Sequence, residues 1–238
     1  MRGGPAAPGH DRGRRHAGRG PGAVAVPRRW EEWLPWLMLI CAVANLLLWV
    51  AVANAQEIPR AAHQYRSTLI RCARAEWGLN APVATFAAQV HQESLWRTDA
   101  RSQAGAQGLA QFMPATSAWL PEVAPHTGEP APYNPGWALR AMVAYDLWLW
   151  QRITAVTECH RMAMTLSAYN GGLGWLNRDK RLAEASGLDP ARWWDHVETV
   201  NAGRAAWAIR ENRGYPRRIL LTLSPVYEAA GWGRGVCP

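Results

Sequence analysis

A single carboxylate at the end of an apolar helical stripe is the strongest candidate for chemistry in this sequence. Glu93 is spaced from three apolar residues so that all four share one face of a helix. These apolar residues are Val83, Phe86 and Val90. A carboxyl group on a core-facing side is desolvated, which raises its pKa and suits it to general acid catalysis near neutral pH. The alternative is an ion pair with Arg97 or Arg101.

The sequence that follows this glutamate carries a long motif, ESLWRTDARSQAGAQGLAQFMPAT, from Glu93 to Thr116. A second segment reads AYNGG over residues 168–172, and a third, looser one reads ENRGY over residues 211–215. The matched positions of the first are Glu93-Ser94, Trp96, Ala100, Ser102, Gly105-Ala106, Gly108-Leu109, Gln111, Met113-Pro114 and Thr116. In these three segments, and in their order, the chain resembles the transglycosylase SLT family over about residues 62–230.

The resemblance implies a fold and a reaction. The fold is mostly α, a lysozyme-like catalytic domain over residues 62–230 with a glutamate facing a sugar-binding cleft. The implied substrate is the bond between N-acetylmuramic acid and N-acetylglucosamine in peptidoglycan. Most glycosidases use two carboxylates, whereas this motif offers one. Glu93 is therefore expected to act first as acid and then as base, the substrate's N-acetyl group assisting, to leave a 1,6-anhydro end.

The resemblance also implies substrate-binding residues around this glutamate. Ser102 would hydrogen-bond the N-acetyl group, or else cap the turn before Gly105. Gln111 and Met113 would line the cleft, although either residue could instead serve ordinary packing. Tyr169 would place its hydroxyl next to Glu93, where it orients the carboxyl group and helps to set its pKa.

The third segment is the loosest match to the family. Glu211 and Tyr215 would contact the substrate, but Glu211 could equally pair with Arg210 or Arg213. Pro216 departs from the family pattern, and a proline at this point is expected to bend or restart the helix.

Apolar spacing predicts the helices that position these residues. The expected helices cover residues 65–77, 80–93, 114–120, 135–153, 158–169, 173–186, 189–200 and 203–230. Asn80 and Asn134 are expected to cap their helices, because each lies just before a proline in the first turn. The helix over 135–153 is expected to be the central buried one.

The first 55 residues are predicted to lie outside the catalytic domain. Residues 1–33 are basic and rich in Gly, Pro and Arg, which is typical of disorder. Residues 34–55 contain no charge and are long enough to cross a bilayer, with Arg28 and Arg29 on the cytoplasmic side. This run is predicted to be an inner-membrane anchor or a cleaved signal ending at Ala55, and both place the catalytic part in the periplasm or cell envelope.

Charge and cysteine content limit the remaining possibilities. The net charge of +8 is divided almost evenly between residues 1–55 and 56–238, and the dispersed arginines match no nucleic-acid-binding module. Cys72, Cys159 and Cys237 permit one disulfide of undetermined pairing. The ligand spacing of a metal site is missing from the sequence, so no metal and no cofactor are expected. The expected partner is the peptidoglycan glycan strand, bound by a monomer.

Two rival functions remain open at this level. A goose-type lysozyme-like hydrolase would need a second acidic residue, for which Asp99 is the nearest candidate. A non-catalytic wall-binding scaffold would keep the fold but need no intact Glu93. The sequence does not distinguish a phage or prophage endolysin from a wall-remodelling or secretion-associated enzyme.

Overall fold

The computed structural model describes residues 57–237. The predicted disordered segment 1–33 and the predicted membrane or signal segment 34–55 lie outside this range. Between residues 57 and 237, no helix is both long enough and apolar enough to cross a membrane.

Helices dominate the described part of the chain, as the sequence predicted. The α-helices are α1 (Arg60–Trp77), α2 (Val83–Ser94), α3 (Pro114–Val123), α4 (Pro135–Gln151), α5 (Glu158–Gly171), α6 (Leu173–Ala185), α7 (Ala206–Arg217) and α8 (Ser224–Ala229). A π-helical segment, Arg218–Leu223, joins α7 to α8, and two 3-10 turns cover Pro125–Thr127 and Val197–Thr199. Between residues 57 and 237 the only β pairing consists of isolated bridges in the loop after α2.

Two of the predicted helix features are wrong. Asn80 does not cap α2, which begins at Val83 after Pro82. The predicted helix over 189–200 is a series of turns that includes only the short 3-10 segment Val197–Thr199. Of the two outcomes expected at Pro216, a bend or a restart, the restart does not occur, because helical structure continues through the proline and its hydrogen-bond pattern widens to a π-helix from Arg218.

The most deeply buried helix is α2, not α4 as the sequence predicted. Ten of the twelve residues of α2 are buried, against nine of seventeen in α4. Small side chains make this possible, since alanines at positions 84, 87 and 88 let neighbouring helices approach closely. α2 packs against α1, α8 and the π-helical segment, while α5 packs against both α4 and α7. The buried helix therefore delivers its last turn, with Glu93, to the edge of the core.

One disulfide closes the described domain. Cys159 at the start of α5 is bonded to Cys237 near the chain end, and Cys72 is free. The bond spans 78 residues of sequence, and cross-links of this kind typically stabilise a fold by about 2–4 kcal/mol. It fastens the C-terminal segment after α8 to the helix that carries Tyr169.

Candidate active site

One cleft of about 610 Å³ brings together all seven residues that the sequence singled out. They come from four different parts of the chain: the end of α2, the loop that follows it, the end of α5, and α7. These residues are Glu93, Ser102, Gln111, Met113, Tyr169, Glu211 and Tyr215. The chain therefore forms a single concave site around the predicted catalytic glutamate.

Glu93 lies in the last turn of α2 with its side chain half-buried against the cleft floor. Burial is the main cause that raises the pKa of Glu93, to about 8. A hydrogen bond from Tyr215 opposes this shift, and the negative charge of Glu211 adds to it. The net result is a carboxyl group that holds its proton at neutral pH, as a general acid requires.

Tyr215 is the hydroxyl partner of this carboxyl group. Its Oη donates to Glu93 Oε1 at 2.5 Å, and the tyrosine ring is buried, with 4% of its surface exposed. A tyrosine this deep in the core has little rotamer freedom, so its hydroxyl holds the carboxyl group in one orientation. Tyr215 lies in the last turn of α7, which continues past Pro216, and the proline thus leaves the site intact.

The Tyr169 hydroxyl lies close enough to Glu93 for the negative charge of that carboxyl group to add to the rise that burial causes in the tyrosine's pKa, but the two groups form no hydrogen bond in the described structure. Tyr169 lines the cleft, but its Oη donates to the carbonyl oxygen of Ala110 at 2.8 Å. Its ring packs against the rings of Phe112 and Tyr145. Tyr169 therefore ties α5 to the loop after α2, and Tyr215 performs the orienting role that the resemblance assigned to Tyr169.

The loop over residues 95–113 forms one wall of the cleft in a strained backbone conformation. Leu95, Trp96 and Gln111 have φ values of 53°, 63° and 48°, a region that side-chain-bearing residues adopt at a cost of about 1–3 kcal/mol each. Trp96 compensates by anchoring the loop, because its buried indole donates to Tyr227 Oη at 2.7 Å. Strain of this kind concentrates at functional sites.

The polar side chains of this loop form hydrogen bonds within the loop and also line the cleft. Ser102 Oγ accepts a hydrogen bond from the Ala106 amide at 2.9 Å, so the turn-capping alternative is correct and the side chain also lines the cleft. Gln111 Nε2 donates to the carbonyl oxygens of Ala100 and Gly108. Met113 is 43% exposed in the cleft, which leaves its thioether free to pack under a ligand.

Glu211 lies on the opposite wall and is held by an amide rather than by an arginine. Asn170 Nδ2 donates to Glu211 Oε1 at 3.4 Å, and Asn170 Oδ1 accepts from Asn212 at 3.0 Å. Arg213, a partner considered for Glu211, pairs instead with buried Asp179. The exposed Glu211 carboxylate is therefore available to a ligand.

Several lining residues escaped the sequence reasoning. Arg210 and Arg218 bring positive charge to the cleft, and Tyr145 and Phe112 bring aromatic surface. Their signal was too weak to find, since arginines are frequent in this chain and Tyr145 follows the apolar pattern of its helix. Asp99, the second acid proposed for a hydrolase, is exposed and is absent from the residues that line the cleft.

The sequence that builds this site matches a known protein family. A family model described as the transglycosylase SLT domain matches residues 71–190. The chain belongs to this family. The SLT match includes α2 with Glu93, the whole loop over 95–113 and the AYNGG segment at the end of α5.

Relatives and solved structures agree with the SLT assignment. The membrane-bound lytic murein transglycosylase F of Ectopseudomonas mendocina is 30% identical over 134 residues, which cover 56% of this chain and 26% of that protein. The protein of the same name from Hahella chejuensis is 33% identical over 129 residues, or 53% and 24%. The chain thus matches about a quarter of the length of these relatives.

The fold is that of a solved lytic transglycosylase. The 70 kDa soluble lytic transglycosylase of Escherichia coli superposes with a TM-score of 0.52 at 21% identity, over 71% of this chain and 25% of that one. Its complex with bulgecin A gives a TM-score of 0.53 at 20% identity, over 73% and 26%. These values establish the lysozyme-like SLT fold for the described part of the chain.

Tyr215→Phe is expected to move the alkaline limb of the pH–rate profile to higher pH. The hydroxyl stabilises the ionised form of Glu93, so its removal raises the pKa of that carboxyl group. A hydrogen bond to a charged group is worth about 1.5–3 kcal/mol, which corresponds to about one to two pH units. The measurement is the rate of peptidoglycan turnover by the purified variant across pH 5 to about 10.

Tyr169→Phe is the matched control for this experiment. Its hydroxyl donates to a backbone carbonyl and not to Glu93, so its loss should lower the melting temperature and leave the alkaline limb in place. A limb that moves in Tyr169→Phe but not in Tyr215→Phe would contradict the assignment of the orienting hydroxyl.

Proposed function

We propose that this SLT domain is a peptidoglycan lytic transglycosylase that cleaves the bond between N-acetylmuramic acid and N-acetylglucosamine. The observation that carries the proposal is Glu93, a half-buried carboxyl group whose pKa is raised to about 8 and which is oriented by Tyr215 inside a cleft of sugar-binding size. The relatives named lytic murein transglycosylases support the same reaction class.

In the first step, protonated Glu93 donates its proton to the glycosidic oxygen as the bond to the anomeric carbon breaks. The developing positive charge needs a partner. The substrate's own N-acetyl carbonyl supplies it, as in other substrate-assisted glycosidases. Ser102 and Gln111 are proposed to hold this acetamido group from the loop side of the cleft.

In the second step, ionised Glu93 removes the proton from the 6-hydroxyl of the same sugar while that oxygen bonds to the anomeric carbon. This forms a 1,6-anhydro ring and returns Glu93 to its protonated state. No water enters the balance of bonds and protons. A pKa near 8 suits both steps, because it leaves the protonated form dominant at neutral pH and makes the ionised form a competent base.

The remaining lining residues are proposed to bind the rest of the glycan strand. Met113 offers an exposed apolar surface to a sugar ring, and Glu211 offers carboxylate oxygens to sugar hydroxyl or amide groups.

The test is the mass of the products that the purified protein releases from peptidoglycan. Transglycosylation predicts disaccharide–peptides that are one water lighter than those from a lysozyme digest of the same material. Products with a reducing end would instead support the hydrolase, with Glu211 as the second carboxylate of the cleft. Absence of any soluble product from a folded sample would support the non-catalytic scaffold.

We further propose that the catalytic domain works in the periplasm, held or exported by residues 34–55. The Cys159–Cys237 disulfide fits an oxidising compartment, and the relatives are named membrane-bound. The mass of the mature protein distinguishes the two modes: a chain that begins at Gln56 indicates a cleaved signal, and a full-length chain in the membrane fraction indicates an anchor. A full-length chain in the cytoplasmic fraction would contradict both.

A further inference from the structure

A buried acid–amide contact lies in the core one helical turn before the catalytic glutamate. Asp146 of α4 and Gln89 of α2 both have none of their surface exposed to solvent. Gln89 Nε2 donates to Asp146 Oδ1 at 3.3 Å. Since Gln89 precedes Glu93 by four residues on the same helix, the contact supports the turn from which Glu93 enters the cleft.

Within the described part of the chain, this contact leaves two buried oxygen atoms without a hydrogen-bond partner, Gln89 Oε1 and Asp146 Oδ2. Both atoms accept hydrogen bonds, so neither can satisfy the other while Asp146 is ionised. A single proton on Asp146 Oδ2 would give both oxygen atoms a hydrogen bond. The acid hydroxyl can then donate to Gln89 Oε1, while the Gln89 amide donates to Asp146 Oδ1. Unsatisfied buried groups typically cost about 1–3 kcal/mol each, which favours the state in which both are paired.

We propose that Asp146 is a neutral carboxylic acid in the working enzyme, joined to Gln89 by two hydrogen bonds, and that this pair is a positioning element for Glu93. The pair fastens α2 to α4 without placing a second negative charge under the active site. No reaction step uses the Asp146 proton, which stays within the pair.

The surroundings of Asp146 agree with a neutral acid. The titratable groups that face it are Glu93 from α2, Tyr169 from α5 and Tyr215 from α7, with its neighbour Tyr145 on α4. Among the residues that the structure describes, no arginine, lysine or histidine pairs with it. Burial, opposed in part by the Gln89 hydrogen bond and reinforced by the charge of Glu93, places the pKa of Asp146 well above its ordinary value.

The charge state of Asp146 bears directly on the proposed chemistry. An anion at this position would oppose ionisation of Glu93, and the second step of the proposed reaction needs ionised Glu93. A neutral Asp146 gives the same mechanical support without this repulsion. This consequence rests on the proposed function, whereas the protonation of Asp146 itself does not.

The decisive comparison is between the full-length wild type and Asp146→Asn as pH rises from 5 to 8. Asparagine can reproduce both hydrogen bonds, since its amide donates to Gln89 Oε1 and its oxygen accepts from Gln89 Nε2, but it never titrates. In the wild type the unfolded chain loses the Asp146 proton above about pH 4 while the folded chain keeps it. The folding equilibrium of the wild type should therefore fall about tenfold per pH unit relative to Asp146→Asn, until the folded acid ionises.

Thermal or denaturant unfolding measures this difference, and other titrating groups cancel in it. The expected result is a melting temperature of Asp146→Asn that gains on the wild type with each rise in pH. A difference that is constant with pH, or that shrinks, would mean that folded Asp146 is ionised and would overturn the proposal. This readout needs no enzymatic activity, so it stands apart from the test of the proposed function.

The pH–rate profile gives a second readout that a merely structural residue would not move. Replacing a neutral acid by a neutral amide should leave the alkaline limb where the wild type has it. Replacing an anion would lower the pKa of Glu93 and move the limb to lower pH, against the proposal. Asp146→Leu keeps the same branching at Cγ but can form neither hydrogen bond, and it should lower the melting temperature and the turnover number, both rescued in Asp146→Asn. If Asp146→Leu is as stable and active as Asp146→Asn, the pair positions nothing.

Discussion

Glu93→Gln is expected to reduce the release of 1,6-anhydro products from purified peptidoglycan by about 100-fold or more. The amide matches the carboxyl group in shape and can still accept the hydrogen bond from Tyr215. It has no proton to give to the leaving oxygen and cannot take one from the 6-hydroxyl group. Both steps of the proposed reaction therefore fail together. The measurement is product release by chromatography with mass detection.

The stability of the same variant provides the control. The raised pKa of Glu93 means that the stability contributed by its protonated form is fully present below about pH 4 and is lost progressively as pH rises toward about 8. The glutamine variant lacks this loss, so its melting temperature should equal or exceed that of the wild type at pH 7. Activity within a few-fold of wild type in such a well-folded sample would remove Glu93 from its catalytic role.

Gly108→Ala is expected to lower the free energy of unfolding by about 4 kcal/mol and the melting temperature by about 10 °C. Gly108 has a φ of 72°, and a Cβ atom there would lie 1.8 Å from the carbonyl oxygen of Pro132. This overlap is with backbone, which no side-chain rotation relieves. Because Gly108 also accepts from Gln111, the shift should displace a cleft wall and reduce turnover per folded molecule.

Gly105→Ala separates the cost of backbone strain from the cost of the steric contact with Pro132. Gly105 has a φ of 90° in the same loop, but a Cβ atom there would meet nothing within 4 Å. Its substitution should therefore cost only the backbone strain, about 1–2 kcal/mol, or about 4 °C. Equal losses in the two variants would show that contact with Pro132 does not explain the need for glycine at 108.

The helices that position the site could be predicted because their apolar residues repeat at helical spacing. The stripe that ends in Glu93 is one case, and the Asn134 cap of α4 is another, with its side chain accepting from the Trp137 amide at 3.0 Å. The prediction of a helix over residues 189–200 failed because this segment is held by side chains that bond to backbone amides. His160 Nδ1, for example, accepts from the Trp193 amide. Such contacts leave no periodic signal.

The hydrogen-bond partners within the site were harder to predict than the identity of the residues that line it. All seven residues were found through local motifs, but which hydroxyl reaches Glu93 depends on how α5 and α7 pack. Tyr215 and Tyr169 both line the cleft, and only the packing directs one to Glu93 and the other to Ala110. Asp146 gave no signal, because one carboxylate in an apolar helix resembles an exposed position until its neighbours are known.

The most direct test of a single-carboxylate transglycosylase is digestion of peptidoglycan by the wild-type protein in ¹⁸O-labelled water. In the proposed reaction the sugar's own 6-oxygen closes the ring, so the products should carry no label from solvent at the new muramic acid end. A lysozyme digest in the same water labels every new reducing end and confirms that the label is detectable. Labelled ends in the wild-type products would show that water is the nucleophile, and would contradict the role assigned here to Glu93 as the base for the 6-hydroxyl group.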